Sequence, residues 1–273
     1  MTALRISLIT VCYDSVKTIG DAMESVRRQE GVSVDYIVVD GGSTDGTVEV
    51  IKNEELIAKE DFRGGKRRTG TFSFRWVSER DRGMYDAINK GVGMATGDVI
   101  GILNADDRLE DENVLADIVR AFERADRPLD AVYGDIRFVR GEGHETVRYY
   151  SSAHWKPWMH NWGYMPAHPS VYVRREVFEK HGGYSLGYDI SADFEWMVRV
   201  FCKARIRAKY LPRCMVTMRL GGKSTAGLRA MLKLTCENVR ANRENGFFCC
   251  FAMMLPKYFY KILGYVARKG NSR

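Results

Sequence analysis

Through the first hundred residues, short β-rich runs alternate with segments of helical periodicity, and this alternation restricts the fold more than any other feature. Residues 5–11, 34–39, 72–77 and 99–103 read as strands. Between them, Ile19, Met23 and Val26 recur at helical spacing within 16–29, and 47–57 and 84–95 also read as helices. Repeated β-α units of this kind imply an α/β domain whose mostly parallel sheet carries helices on both faces. The fourth run, Val99-Ile100-Gly101-Ile102-Leu103, stops at Asn104-Ala105-Asp106-Asp107. An acidic cluster there is displayed at a strand's carboxyl end, the edge on which open α/β sheets bind ligands. Adjacent carboxylates repel one another unless a cation or donor neutralises them. Mg²⁺ and Mn²⁺ take oxygen ligands and are commonly shared with phosphates, so the cluster points to a metal-held phosphate ester. A loop that merely caps the next helix is the competing reading. Asp14, Asp40 and Asp81 also fall at or just after strand ends, although each alone suits a turn or a helix cap.

Beyond residue 110 the alternation relaxes. Residues 111–125 read as a helix, and 131–150 as a hairpin interrupted by Gly141 and Gly143. Residues 151–169, rich in Trp, His, Met and Pro, read as a shaped loop. Helices are expected at 174–181 and 190–203, short strands at 206–211 and 214–218, and a helix at 226–245. Residues 59–71 form a polar loop holding Arg63-Gly64-Gly65-Lys66-Arg67-Arg68. The segment 246–255 is largely apolar, and Pro256 separates it from a stretch mixing aromatics with cations. That tail suits either an interfacial segment or a packed helical appendage.

Composition narrows the partners. A length of 273 residues with 45% hydrophobic and 28% charged content is that of a globular protein. The net charge of +7 favours anionic ligands or surfaces. No recognition helix, zinc framework or RNA-binding motif accompanies it, so nucleic acid is not an expected partner. Six cysteines without CxxC spacing suit a reducing cytosol rather than a disulfide framework. With no leader pattern and no uninterrupted apolar run of about 18 residues, the expected location is the cytoplasm, with peripheral contact at the inner membrane face left open. Oligomeric state is left unassigned.

Taken in order, several stretches resemble the family-2 glycosyltransferases of the GT-A fold. They are Ser7-Leu8-Ile9-Thr10-Val11-Cys12-Tyr13-Asp14, Val38-Val39-Asp40-Gly41-Gly42-Ser43-Thr44-Asp45-Gly46-Thr47, and Ser78 through Gly91. Ala95-Thr96-Gly97-Asp98, the Asn104 cluster, His168-Pro169-Ser170, Gly182-Gly183-Tyr184 and Ala192-Asp193-Phe194-Glu195-Trp196 complete the set, which spans about 4–220. The resemblance implies a GT-A domain over 1–225, divided into a nucleotide-sugar half (1–110) and an acceptor half (111–225), with a helical tail at 226–273. It further implies that Thr10, Tyr13 and Asp14 line the nucleoside pocket and that Asp40 and Asp81 contact base or ribose. Asp106 and Asp107 would hold Mg²⁺ or Mn²⁺ and the donor diphosphate, and Asp193 would be the general base of an inverting displacement. The family's Asp-x-Asp begins here with Asn104, which can hydrogen-bond a ribose hydroxyl but brings no charge. A non-catalytic nucleotide-sugar-binding homologue therefore stays open. Asp193 also reads as a helix-start charge. His168 and Trp162 are candidate acceptor contacts, with packing as the alternative for each. The expected activity is metal-dependent sugar transfer from a nucleotide sugar to a glycan or lipid-linked acceptor, in bacterial capsule, exopolysaccharide or lipopolysaccharide assembly.

Overall fold

The computed structural model describes residues 4–63, 70–140, 145–220 and 227–255. The chain divides into two compact units: Met1–Ala153 with Pro166–Tyr184 and Ile206–Leu220, and His154–Met165 with Ser185–Arg205 and Gly221–Arg273.

In the first unit, β1 (Arg5–Cys12), β2 (Ser33–Asp40), β3 (Phe72–Ser78) and β4 (Val99–Asn104) pair in parallel in the order β3-β2-β1-β4. The helices α1 (Ile19–Arg27), α2 (Thr47–Arg63) and α3 (Met84–Met94) alternate with these strands. After β4 come the short β5 (Asp107–Leu109), α4 (Val114–Glu123), and a hairpin of β6 (Ala131–Val139) and β7 (Thr146–Tyr150). Next are β8 (Val171–Arg174), α5 (Arg175–His181) and, later in the chain, β9 (Ala208–Arg219). β8 runs antiparallel to β4 and β6, and β5 antiparallel to β9, so the half beyond β4 is mixed.

Hydrophobic periodicity explains the layers. Ile19, Ala22, Met23 and Val26 form the one buried stripe of α1, and Val114, Leu115, Ile118, Val119 and Phe122 that of α4. Both stripes join Ile6, Leu8, Tyr36, Val38, Val99 and Tyr172 in one core. Burying each large aliphatic side chain stabilises the fold by about 1.5–3 kcal/mol. On α3, a Cβ added at Gly91 would lie 2.4 Å from Ile9 Cγ2, so the missing side chain lets this helix pack close to β1. At the amino-terminal edge, fully buried Asp35 accepts hydrogen bonds from Arg75, Ser7, Ser73 and Thr96. Ser7 Oγ in turn accepts the Gly97 amide, and Asp98 accepts that of Arg5. The Thr96-Gly97-Asp98 motif thus ties strands together at the edge opposite the acidic cluster.

Several elements depart from expectation. α2 continues to Arg63 rather than ending near 57. Residues 171–174 form β8, and the helix expected from 174 begins at Arg175. The two short strands expected at 206–211 and 214–218 are one strand, β9. Its pairing to β6 shifts from Tyr133↔Tyr210 to Asp135↔Cys214, a bulge that accommodates Pro212, which has no amide proton for the ladder. Gly141 and Gly143, residues 64–69 and the tail from Pro256 onward lie outside the described residues.

The second unit is helical. A 3₁₀ turn at Pro157–Trp162 precedes α6 (Ala192–Met197), which passes into a π-helical turn at Val198–Lys203. α7 (Gly227–Glu244) and the short α8 (Phe251–Met254) follow. Among the described residues no helix is long and apolar enough to cross a membrane.

Candidate functional site

Strand register brings the first unit's candidate residues to one edge. Cys12 pairs with Asp40, Asp40 with Ser78, and Val11 with Asn104, so four parallel strands end together. The segments that continue from those ends carry Tyr13-Asp14, the 41–46 loop, Asp81, and Asp106-Asp107.

Asp40 is fully buried and organises the loop after β2. Its carboxylate accepts the amides of Gly42 (3.1 Å) and Ser43 (3.0 Å), the Ser78 hydroxyl (2.6 Å) and the Ser43 hydroxyl. Burial alone would raise its pKa, but these donors outweigh it and hold the carboxyl below its ordinary value. The Cys12 thiol donates to the same carboxylate at 3.6 Å, and burial together with that charge drives the thiol's pKa far upward. Asp14 adopts a left-handed backbone (φ 46°) and bridges two loops. It accepts the Thr44 amide at 3.0 Å while its own amide donates to Ser43 Oγ at 2.8 Å. Asp45 accepts the Val16 amide at 3.0 Å and so stitches the same two loops.

Tyr13 and Asp81 flank Gly41. A Cβ added there would meet Asp81 Oδ2 at 2.6 Å and Tyr13 Cδ2 at 3.3 Å, so glycine is required for the two side chains to approach. Tyr13 is 58% exposed, a flat ring open to solvent beside a carboxylate. Thr10 differs from these neighbours: it is fully buried, and its hydroxyl accepts the Tyr36 phenol at 3.0 Å.

At the end of β4, Asn104 Nδ2 donates to Asp107 Oδ2 at 2.9 Å. Asp107 Oδ1 is buried with no hydrogen-bond partner among the described residues. Burial foremost, and then the Asp106 charge, push the Asp107 carboxyl well above the usual carboxylate range. Arg219, at the end of β9, opposes this shift and is ion-paired to Asp21. An orphaned buried carboxylate oxygen beside a second carboxylate suits a hard cation. Among the described residues, however, no cluster of three or more His, Cys, Asp or Glu forms a full ligand set. Such an ion would have to complete its shell with water or substrate oxygens, as Mg²⁺ commonly does.

His168 lies in a short 3₁₀ turn, its Nε2 2.9 Å from the Tyr184 hydroxyl. Tyr184 stacks on Tyr85 of α3, and its backbone exchanges two 2.8 Å hydrogen bonds with Asn89.

In the second unit, Asp193 sits half-buried in the first turn of α6, its Oδ1 accepting the Phe194 amide at 2.8 Å. The start of that helix is held by Glu237 of α7, whose carboxylate accepts the amides of Asp189, Ile190 and Ser191 at 2.9–3.2 Å. Glu195, buried, binds Arg199 through two 2.9 Å hydrogen bonds. Trp162 is 41% exposed and meets Trp158 edge-on at 5.3 Å. Glu237 and Arg219 carry no local sequence signal, because their partners are distant along the chain and neither sits in a motif.

Residues 7–187 match the family described as Glycosyl transferase family 2. The chain belongs to that family. It is a glycosyltransferase, and its α/β architecture is GT-A-like. A PGL/p-HBAD biosynthesis glycosyltransferase of Mycobacterium bovis is 28% identical over 222 residues, covering 77% of this glycosyltransferase and 75% of the relative. Among solved structures, residues 1–349 of S. aureus TarS in complex with UDP-GlcNAc align with a TM-score of 0.56 at 15% identity, covering 88% of this chain and 68% of that one. The Pyrobaculum calidifontis mannosyltransferase PcManGT, in complex with GDP-Man and Mn²⁺, aligns with a TM-score of 0.58 at 18% identity. This glycosyltransferase aligns over 88% of its length with 65% of PcManGT.

Proposed function

We propose that this glycosyltransferase moves one sugar, with inversion, from a nucleotide-sugar donor to a glycan or lipid-linked acceptor during surface-polysaccharide or glycolipid assembly. The observation that carries the reading is the orphaned carboxylate oxygen of Asp107 beside Asp106, on the sheet edge that also presents Tyr13 and Asp81. The glycolipid-pathway name of the mycobacterial relative and the nucleotide sugars in the two structural neighbours support the same reading.

In this proposal the donor half is 1–110, the acceptor half 111–225, and 226–273 the tail. Tyr13 stacks against the nucleoside, and Asp81 accepts hydrogen bonds from base or ribose. Asp14 and Asp40 act chiefly by holding the loops that surround the nucleoside, since their oxygens already accept loop donors. Thr10 acts from beneath, through the strand it anchors to Tyr36. Asn104 orients Asp107 and offers its amide to a ribose hydroxyl. Asp106 and Asp107 would hold Mg²⁺ or Mn²⁺, which would neutralise charge on the departing nucleoside diphosphate. Arg219 adds a fixed cation near that pair. Asp193 accepts the proton of the attacking acceptor hydroxyl, which inverts the anomeric carbon in one displacement. His168 and Trp162 contact the acceptor.

The test is a panel of UDP-, GDP- and dTDP-sugars, incubated with Mn²⁺ or with EDTA and followed by release of nucleoside diphosphate. Metal-dependent release from one donor supports the reading. Failure of every donor under both conditions, with folded protein, would end it.

A further inference from the structure

Among the described residues of the second unit, several large apolar side chains are exposed. Trp158 is 56% exposed, Trp162 41%, Phe248 78%, Phe251 42% and Leu255 40%. The turn at Pro157–Trp162 and the 247–255 segment that carry these side chains are held together. The His160 ring lies 4.4 Å from the Phe247 ring, and His160 Nδ1 is hydrogen-bonded to the amide oxygen of Asn242. Cys249 Sγ donates to the Asn161 carbonyl at 3.5 Å, and Arg243 Nε donates to the Cys249 carbonyl at 2.9 Å. Both aromatic groups therefore stand on one fixed base.

Exposing so many large apolar rings is costly for a monomer in water, and grouped exposure of this kind marks a contact surface. Two observations select the occupant. Tryptophan and phenylalanine beside cations suit the headgroup boundary of a bilayer, where an amphipathic ring is favoured. The sequence beyond Glu244 also holds five cations (Lys257, Lys261, Arg268, Lys269 and Arg273) and no acidic residue. Exposed Lys156 adjoins the turn that carries the tryptophans. Basic residues are attracted to the negative surface potential of an anionic bilayer, so the charge matches an anionic surface better than a neutral one.

We propose that the surface formed by Trp158, Trp162, Phe248, Phe251 and Leu255 docks on an anionic lipid bilayer. This extends the lipid-linked acceptor reading above, and vesicle binding measured without any acceptor or donor separates the two: one can fail while the other stands.

The experiment is flotation of the full chain with vesicles of phosphatidylcholine alone or with 30 mol% phosphatidylglycerol (about one anionic lipid in three, enough for a strong surface potential). Alongside it are Phe248→Ser/Phe251→Ser, whose side chains are exposed and not part of the donor site, and tryptophan fluorescence with brominated lipid. The proposal expects the wild type to float with anionic vesicles at least tenfold more than with neutral ones. It also expects quenching by brominated lipid, and loss of most flotation in the double variant with an unchanged melting temperature and nucleotide-sugar affinity. Absence of flotation with anionic vesicles, or equal flotation of wild type and double variant, overturns it. A wild-type dimer that the double variant makes monomeric, with no flotation of either, would assign the surface to a second copy of this chain instead.

Discussion

At the scale of single residues, the acidic edge contains carboxylates in opposite situations. Asp40 is saturated with donors and held ionised, whereas Asp107 is buried with one oxygen unpartnered. Burial raises the Asp107 pKa in the folded state, so this carboxyl costs stability at every pH above its ordinary value. Asp107→Asn should therefore raise the melting temperature of the metal-free protein at pH 7 by an amount equivalent to about 1 kcal/mol, the usual size of such active-site gains. The same change should abolish metal-stimulated donor turnover. Calorimetric scans in EDTA check the first half, and release of nucleoside diphosphate in Mn²⁺ and in EDTA checks the second. Asp193→Asn keeps shape and removes basicity; it should leave donor affinity unchanged and lower transfer by about 10²-fold or more. Initial-rate assays with a working acceptor measure this, and unchanged turnover would leave Asp193 as a helix-start residue only.

At the scale of elements, two buried carboxylates hold segments that the site depends on. Asp35 ties β1, β2, β3 and the 96–97 turn together, and its donors outweigh burial to bring its pKa from 3.8 to about 2. A carboxyl depressed on folding stabilises the native state above its unfolded pKa and loses that contribution as pH falls through the folded one. Asp35→Asn should cost about 3–5 kcal/mol at pH 7, as breaking a buried pair does. The difference from wild type in urea midpoints should shrink as pH falls from 5 to 2. Glu237→Gln weakens three amide contacts to the start of α6 and should destabilise by about 2 kcal/mol, the scale of a charged hydrogen bond. Denaturant unfolding of the intact chain measures it. The β-α alternation of residues 5–104 was legible because each strand and helix announces itself through local periodicity. β5 and β8 were not, since strands of three and four residues gain their identity only by pairing with β9 and β4. Asp106 and Asp107 stood out because they interrupt an apolar run. By contrast, the engagement of Thr10 by Tyr36 and the structural task of Thr96-Gly97-Asp98 arise from neighbours distant in sequence.

At the scale of the molecule, the parallel half of the sheet gathers the donor-side candidates on one edge, while Asp193 belongs to the helical unit braced by Glu237. Fold and family follow from this architecture and from the match over residues 7–187; the chemistry turns on whether the Asp106–Asp107 edge takes a nucleotide sugar together with a cation. Isothermal titration of the intact protein with UDP-GlcNAc, GDP-mannose and a dTDP-sugar, in Mn²⁺ and in EDTA, tests that claim most directly. At least one donor is expected to bind in Mn²⁺, with affinity falling tenfold or more (at least about 1.4 kcal/mol) in EDTA and likewise in Asp106→Ala. Equal affinity for that donor in Mn²⁺ and EDTA, unchanged by Asp106→Ala, would contradict it.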